Sequence, residues 1–134
     1  MSSEFSVFMK GEAKTLLLQL EAILGCSFEP PSSDCGGARH AEVLEVALTF
    51  ADSHGIVDDM GIPFEAYPLS VEFARSGSQS EPELRDALCR VLALLCGRLL
   101  AERGYADTMV VRDLQEIVER HELAPSKGLP PSQT

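Results

Sequence analysis

Hydrophobic and polar positions change rhythm several times along this chain. "FSVFM", residues 5–9, alternates, which places Phe5, Val7 and Met9 on one face of a short strand and Phe8 on the other. In the following "GEAKTLLLQLEAILG", Leu16, Leu20, Ile23 and Leu24 recur at helical spacing, and Gly25 is a C-terminal stop. Pro30, Pro31, Gly36 and Gly37 then mark a loop. "AEVLEVALTFA" alternates again and predicts one strand, with Leu44, Val46, Leu48 and Phe50 inward and Val43, Glu45, Ala47 and Thr49 outward. After an acidic loop, "YPLSVEFARS" predicts another strand, with Tyr67, Leu69, Val71 and Phe73 inward.

The second half holds the longest helical pattern. Ser80 followed three residues later by Glu83 reads as a capping box, Pro82 suits a first turn, and Gly104 ends the segment. Leu84, Leu88, Cys89, Val91, Leu92, Leu95, Cys96, Leu99 and Leu100 cover a broad arc of this helix. An arc that wide means packing on two sides or contact with a partner. A strand is predicted over Thr108–Val111, then a short helix capped by Asp113, with Leu114, Ile117 and Val118 inward. The order is β-α-β-β-α-β plus a short C-terminal helix, an α+β, ferredoxin-like arrangement: an antiparallel sheet with two helices on one face. The sheet's opposite face would carry Val43, Glu45, Ala47, Thr49, Ser70 and Glu72. Residues 1–123 are expected to form one domain and 124–134 a disordered tail.

Charge adds a function-bearing feature. The net charge is −10, and His40 to Ala74 contains seven acids and no Lys or Arg. Such a field repels phosphate backbones and anionic membranes, and it attracts a basic protein or a cation. Nucleic-acid and membrane partners are therefore not expected. No apolar run is long enough to span a bilayer, and the N-terminus lacks the pattern of an export signal, so a cytoplasmic location with reduced cysteines is expected. Cys89 and Cys96, seven apart on one helix, read as core residues. Cys26, Cys35 and His40 have a zinc-compatible composition but no CxxC spacing.

"ADSHGIVDDMGIPFEAYP", residues 51–68, gathers Asp52, His54, Asp58, Asp59 and Glu65. Asp and His in such reach can ligate a divalent metal or act as an acid/base pair. Neither a second His nor an EF-hand pattern accompanies them, so no metal or cofactor is assigned. Ile62 and Tyr67 read as apolar pins onto the sheet. Phe64 reads either as a third pin or as an exposed anchor inside an acidic rim, the anatomy of a binding hot spot. Nucleotide-binding, hydrolase and zinc-protease motifs are missing.

"ADSHGIVDDMGIPFEAYPLSVEFA" and "ELRDALCRVLALLCGRLLAERGYADTMVVRDLQEIVERHE" resemble small acidic bacterial immunity-type proteins of polymorphic or contact-dependent toxin systems. The resemblance implies a non-enzymatic inhibitor that presents carboxylates to a cognate toxin with a basic surface. The contact would fall on Asp52, His54, Asp58, Asp59 and Glu65, with Phe64 as apolar anchor. Two other readings stay open: a dimeric secretion or effector chaperone, in which the broad helix or open sheet forms a homodimer, and a metal-dependent enzyme using Asp52 and His54.

Overall fold

A computed structural model describes residues 4–30, 38–75 and 81–123. Its elements are β1 (Phe5–Lys10), α1 (Ala13–Leu24), β2 (Arg39–Val43), β3 (Val46–Ala51), a 3₁₀ turn (Phe64–Ala66), β4 (Leu69–Arg75), α2 (Pro82–Glu102), β5 (Asp107–Arg112) and β6 (Glu116–His121). They build one antiparallel sheet in the order β2-β3-β4-β1-β5-β6. The α+β class expected from the sequence is present, and the sheet is wider than the four strands anticipated. Ser80, Cys35 and the 124–134 tail lie outside the described residues. The residue flanking α2 is Glu81, whose side chain makes no cap bond.

Both additional strands come from two-residue turns without glycine. The segment read as one alternating strand folds at Leu44 and Glu45, with φ of 52° and 64°, so that Val43 pairs with Val46. Positive φ at both central residues is the type I′ geometry that joins twisted antiparallel strands. Leu44, expected inward, sits exposed in the turn. Val43, expected outward, packs with Ala41 against the helix-side core. Glu45 also leaves the outward set, and its carboxylate meets Arg85 of α2 at 2.5 Å.

The second correction is at the C-terminal end. The segment expected to be a helix is β6, reached through Asp113 and Leu114 at φ of 53° and 57°. Asp113 does not cap a helix: its Oδ1 accepts the Glu4 N–H at 2.8 Å, and its own N–H donates to the Glu4 carbonyl at 2.8 Å. A bulge in the β5–β6 pairing lets the consecutive Ile117 and Val118 both pack inward, one on each side of the sheet.

Both helices lie on the same face. α1 contributes Leu16 and Leu20, and α2 contributes Cys89, Leu92, Ala93, Cys96 and Leu100, to a core shared with Val7, Met9, Leu48, Val71, Phe73 and Val110. Gly25 terminates α1 as expected, at φ 69° with its N–H on the Glu21 carbonyl. Gly97 sets how closely α2 approaches β5. A Cβ there would stand 2.8 Å from Val110 Cγ2, and Thr108 Oγ1 donates to the Gly97 carbonyl at 2.8 Å. Burial pushes the Cys96 thiol up to about 12 and the Cys89 thiol up to about 11, so neither supplies thiolate at neutral pH.

Candidate functional site: the acidic loop

The loop between β3 and β4, residues 52–68, crosses the face of the sheet opposite the helices. There Ile62, Phe64 and Tyr67 join Phe8, Met109 and Val111 in a second buried cluster, with Ile56 and Ile117 packed against it. Ile62 and Tyr67 are the pins the sequence implied. Phe64 is 1% exposed and tilts against the Phe8 ring at 5.0 Å between centroids. It is a third pin, and the reading of it as a surface anchor is corrected. A ring placed against Phe8 leaves water on folding and cannot also meet a partner.

His54 fastens the two ends of the loop together. Its Nδ1 accepts the Ile56 N–H at 2.8 Å, which assigns the proton to Nε2, and Nε2 donates to the Tyr67 carbonyl at 2.6 Å. The His54 backbone N–H donates to the Pro68 carbonyl at 3.2 Å, and its ring stands edge-on to Phe8 at 5.0 Å. Both nitrogens being engaged, His54 offers no lone pair to a metal or a substrate proton in this geometry. Asp52 is not brought to it. Asp52 lines a cleft on the helix side with Lys14, Leu17 and Arg39, whereas His54 lies over Phe8 on the other face. Among the described residues, no three His, Cys, Asp or Glu side chains gather closely enough to hold a metal. The zinc arrangement of Cys26, Cys35 and His40 falls partly outside the described residues.

The remaining acids divide by role. Asp58 and Glu65 brace each other: Asp58 Oδ1 accepts the Glu65 N–H at 2.7 Å, and the Asp58 N–H donates to Glu65 Oε2 at 3.4 Å. Asp59 and Ile62 form a bridge with reciprocal backbone bonds of 3.2 and 2.7 Å, around Met60 and Gly61 at φ of 51° and 78°. This third type I′ turn carries a glycine, the residue best suited to its second position. Asp58, Asp59 and Glu65 are exposed, and the Asp59 carboxylate has no partner among the described residues.

Sequence reasoning missed the apolar side chains that do reach solvent. Val57 and Met60 are each 66% exposed, on either side of Asp58 and Asp59. Their signal was position in a turn next to acids, which aromatic residues nearby overshadowed. Beside them lies a hollow of about 300 Å³ lined by His54, Gly55, Ile56, Val57 and Glu65.

No family model, curated protein or solved structure matches this chain. The loop is therefore read from its own geometry. That geometry is a rigid, acid-rimmed platform with two exposed apolar tips.

The rest of this sheet face, on β2, β3 and β4, carries small and polar side chains. Thr49 Oγ1 meets His40 Nδ1 at 3.3 Å, and Thr49 and Ser6 both lie opposite Glu72. Burial and the Glu4 carboxylate raise the Glu72 carboxyl above its ordinary range. No helix of the described residues is long and apolar enough to cross a membrane.

Proposed function

We propose that this chain is a non-enzymatic protein-binding module of the immunity type, which neutralises a bacterial toxin by docking the β3–β4 loop on the toxin's basic surface. The observation that carries the reading is the pinned loop with Val57 and Met60 exposed among Asp58, Asp59 and Glu65. A prefixed loop loses little entropy on binding, apolar tips supply the desolvated centre, and the carboxylate rim steers a cationic partner. The uncompensated acidity of residues 40–74 supports the same partner chemistry. Asp52, on the helix side, lies outside this contact, and His54, Asp58 and Phe64 serve by holding the loop. The order β3-β4-β1-β5 with both helices on one face supports a ferredoxin-like core carrying one added strand at each edge.

The test separates contact from folding. Asp59 has no partner and Met60 is exposed, so Asp59→Lys with Met60→Ser changes the tips without touching the pins. Wild type used as bait in a lysate of the native organism should retain a basic protein that elutes with salt. The double variant should lose it by at least ~100-fold in affinity, with a melting temperature within ~2 °C of wild type. The retained protein should be toxic when expressed alone and silenced by the wild type only. Equal retention by the variant defeats the reading.

A second reading, a dimeric secretion or effector chaperone, is favoured by one separate observation. The outer surface of α2 is apolar and uncovered.

A further inference from the structure

α2 buries one side against the sheet and leaves an apolar stripe on the other. Leu84, Leu88, Val91 and Leu95 recur at steps of four, three and four residues. Leu84, Val91 and Leu95 are 48%, 58% and 40% exposed, and Leu88 is half-buried. This is the rhythm of a helix–helix seam, in which alternate steps keep one face toward a partner helix. The sequence showed this breadth as a single arc. The structure splits it into a sheet-facing half and a half that no described element covers.

The charges on this helix point to the occupant. From Glu81 to Arg103 the acids are Glu81, Glu83, Asp86 and Glu102, and the bases are Arg85, Arg90, Arg98 and Arg103. The segment is therefore neutral in a chain of net charge −10. Arg85 is held by Glu45 and Asp86 by Arg75, at 2.5 and 3.6 Å. What remains is polarised along the axis: Glu81 and Glu83 lie at the first turn, while Arg98 and Arg103 outnumber Glu102 at the last. An antiparallel second copy sets each acidic start beside an arginine-bearing end, twice over. A parallel copy sets like beside like. A strongly basic partner, such as the loop requires, finds no net charge to match here.

We propose that the outer face of α2 is a homodimer seam, closed by the same face of a second copy running antiparallel across a two-fold axis near Val91. Leu84 to Leu95 spans only about 16 Å at the helical rise. A seam that short lies at the low end of interface size, so the dimer assembles in the micromolar range.

The test uses the full chain in sedimentation equilibrium from about 1 to about 500 µM, a range set by the mass action of weak dimers. Wild type should shift from monomer to dimer across it. Val91→Glu, which places two carboxylates on the axis, should raise the dissociation constant at least ~100-fold while the circular dichroism stays that of wild type. Val91→Cys should cross-link to its symmetry mate on oxidation beyond the wild-type background, and Glu83→Cys should not. Wild type that stays monomeric throughout, or a dimer that survives Val91→Glu, overturns the proposal. A Glu83→Cys cross-link overturns the antiparallel arrangement. The loop lies on the other face of the sheet, so Asp59→Lys with Met60→Ser should leave dimerisation unchanged, and failure of either proposal leaves the other standing.

Discussion

Both ring nitrogens of His54 are engaged within its own loop, and this decides how the surrounding acids are read. From the sequence, a His two residues after an Asp and four before another is equally a ligand, a base or a strap. Spacing gives proximity along the chain but not the direction of the ring, and here the ring turns onto Phe8, away from Asp52. Removing it should cost the loop two hydrogen bonds and a ring contact. His54→Ala is expected to lower the unfolding free energy by ~2–3 kcal/mol. Amide exchange should quicken across residues 55–67 first. Unchanged urea midpoint and exchange would show that the strap is idle. Phe64 illustrates the same gap: an aromatic residue beside acids suits a hot spot and a pin alike, and only Phe8 on the opposing strand distinguishes them.

At the scale of elements, the helices and the strands with steady alternation were legible, and the hairpin turns were not. A two-residue turn through Leu44 and Glu45 leaves the apolar–polar alternation unbroken on both sides, and neither residue is a turn former. The register merely slides, moving Val43 inward and Leu44 out. In the last segment, Asp113 followed by Glu116 imitates a capping box, while the adjacent β-branched pair Ile117 and Val118 was the strand signal. Non-glycine residues at positive φ carry a backbone cost, which gives a prediction. Leu114 is 41% exposed at φ 57°, so Leu114→Gly should stabilise the fold by ~0.5–1 kcal/mol, net of the flexibility glycine adds to the unfolded chain. Chemical denaturation is the check. A loss of stability would show that the Leu114 side chain is held by packing.

Across the whole molecule, the layers are joined at the β6 edge by charge as well as by apolar packing. Arg98 of α2 grips Glu119 of β6 through two bonds of 3.1 and 2.6 Å, and His121 reaches the same carboxylate at 2.7 Å. The Arg98 guanidinium, then His121, hold the Glu119 carboxyl down to about 2 from an ordinary 4.5. Between these values the unfolded chain binds the proton and the folded one does not. The stabilisation is therefore present above about pH 4.5 and disappears as pH falls toward about 2. Urea midpoints taken from pH 6 to pH 3 should fall less steeply in Glu119→Gln than in wild type. Parallel curves would show that the grip is screened by solvent.

The position of β1 has a consequence for synthesis. Phe5 lies between Phe73 and Arg112, so the middle strand of the sheet is among the first parts of the chain to be translated and among the last to find both neighbours. Until residue 112 leaves the ribosome, Phe5, Val7, Phe8 and Met9 have no complete place to go. Pairings so distant along the chain make for slow folding, and a nascent chain stalled before β5 would leave that strand as bait for chaperones.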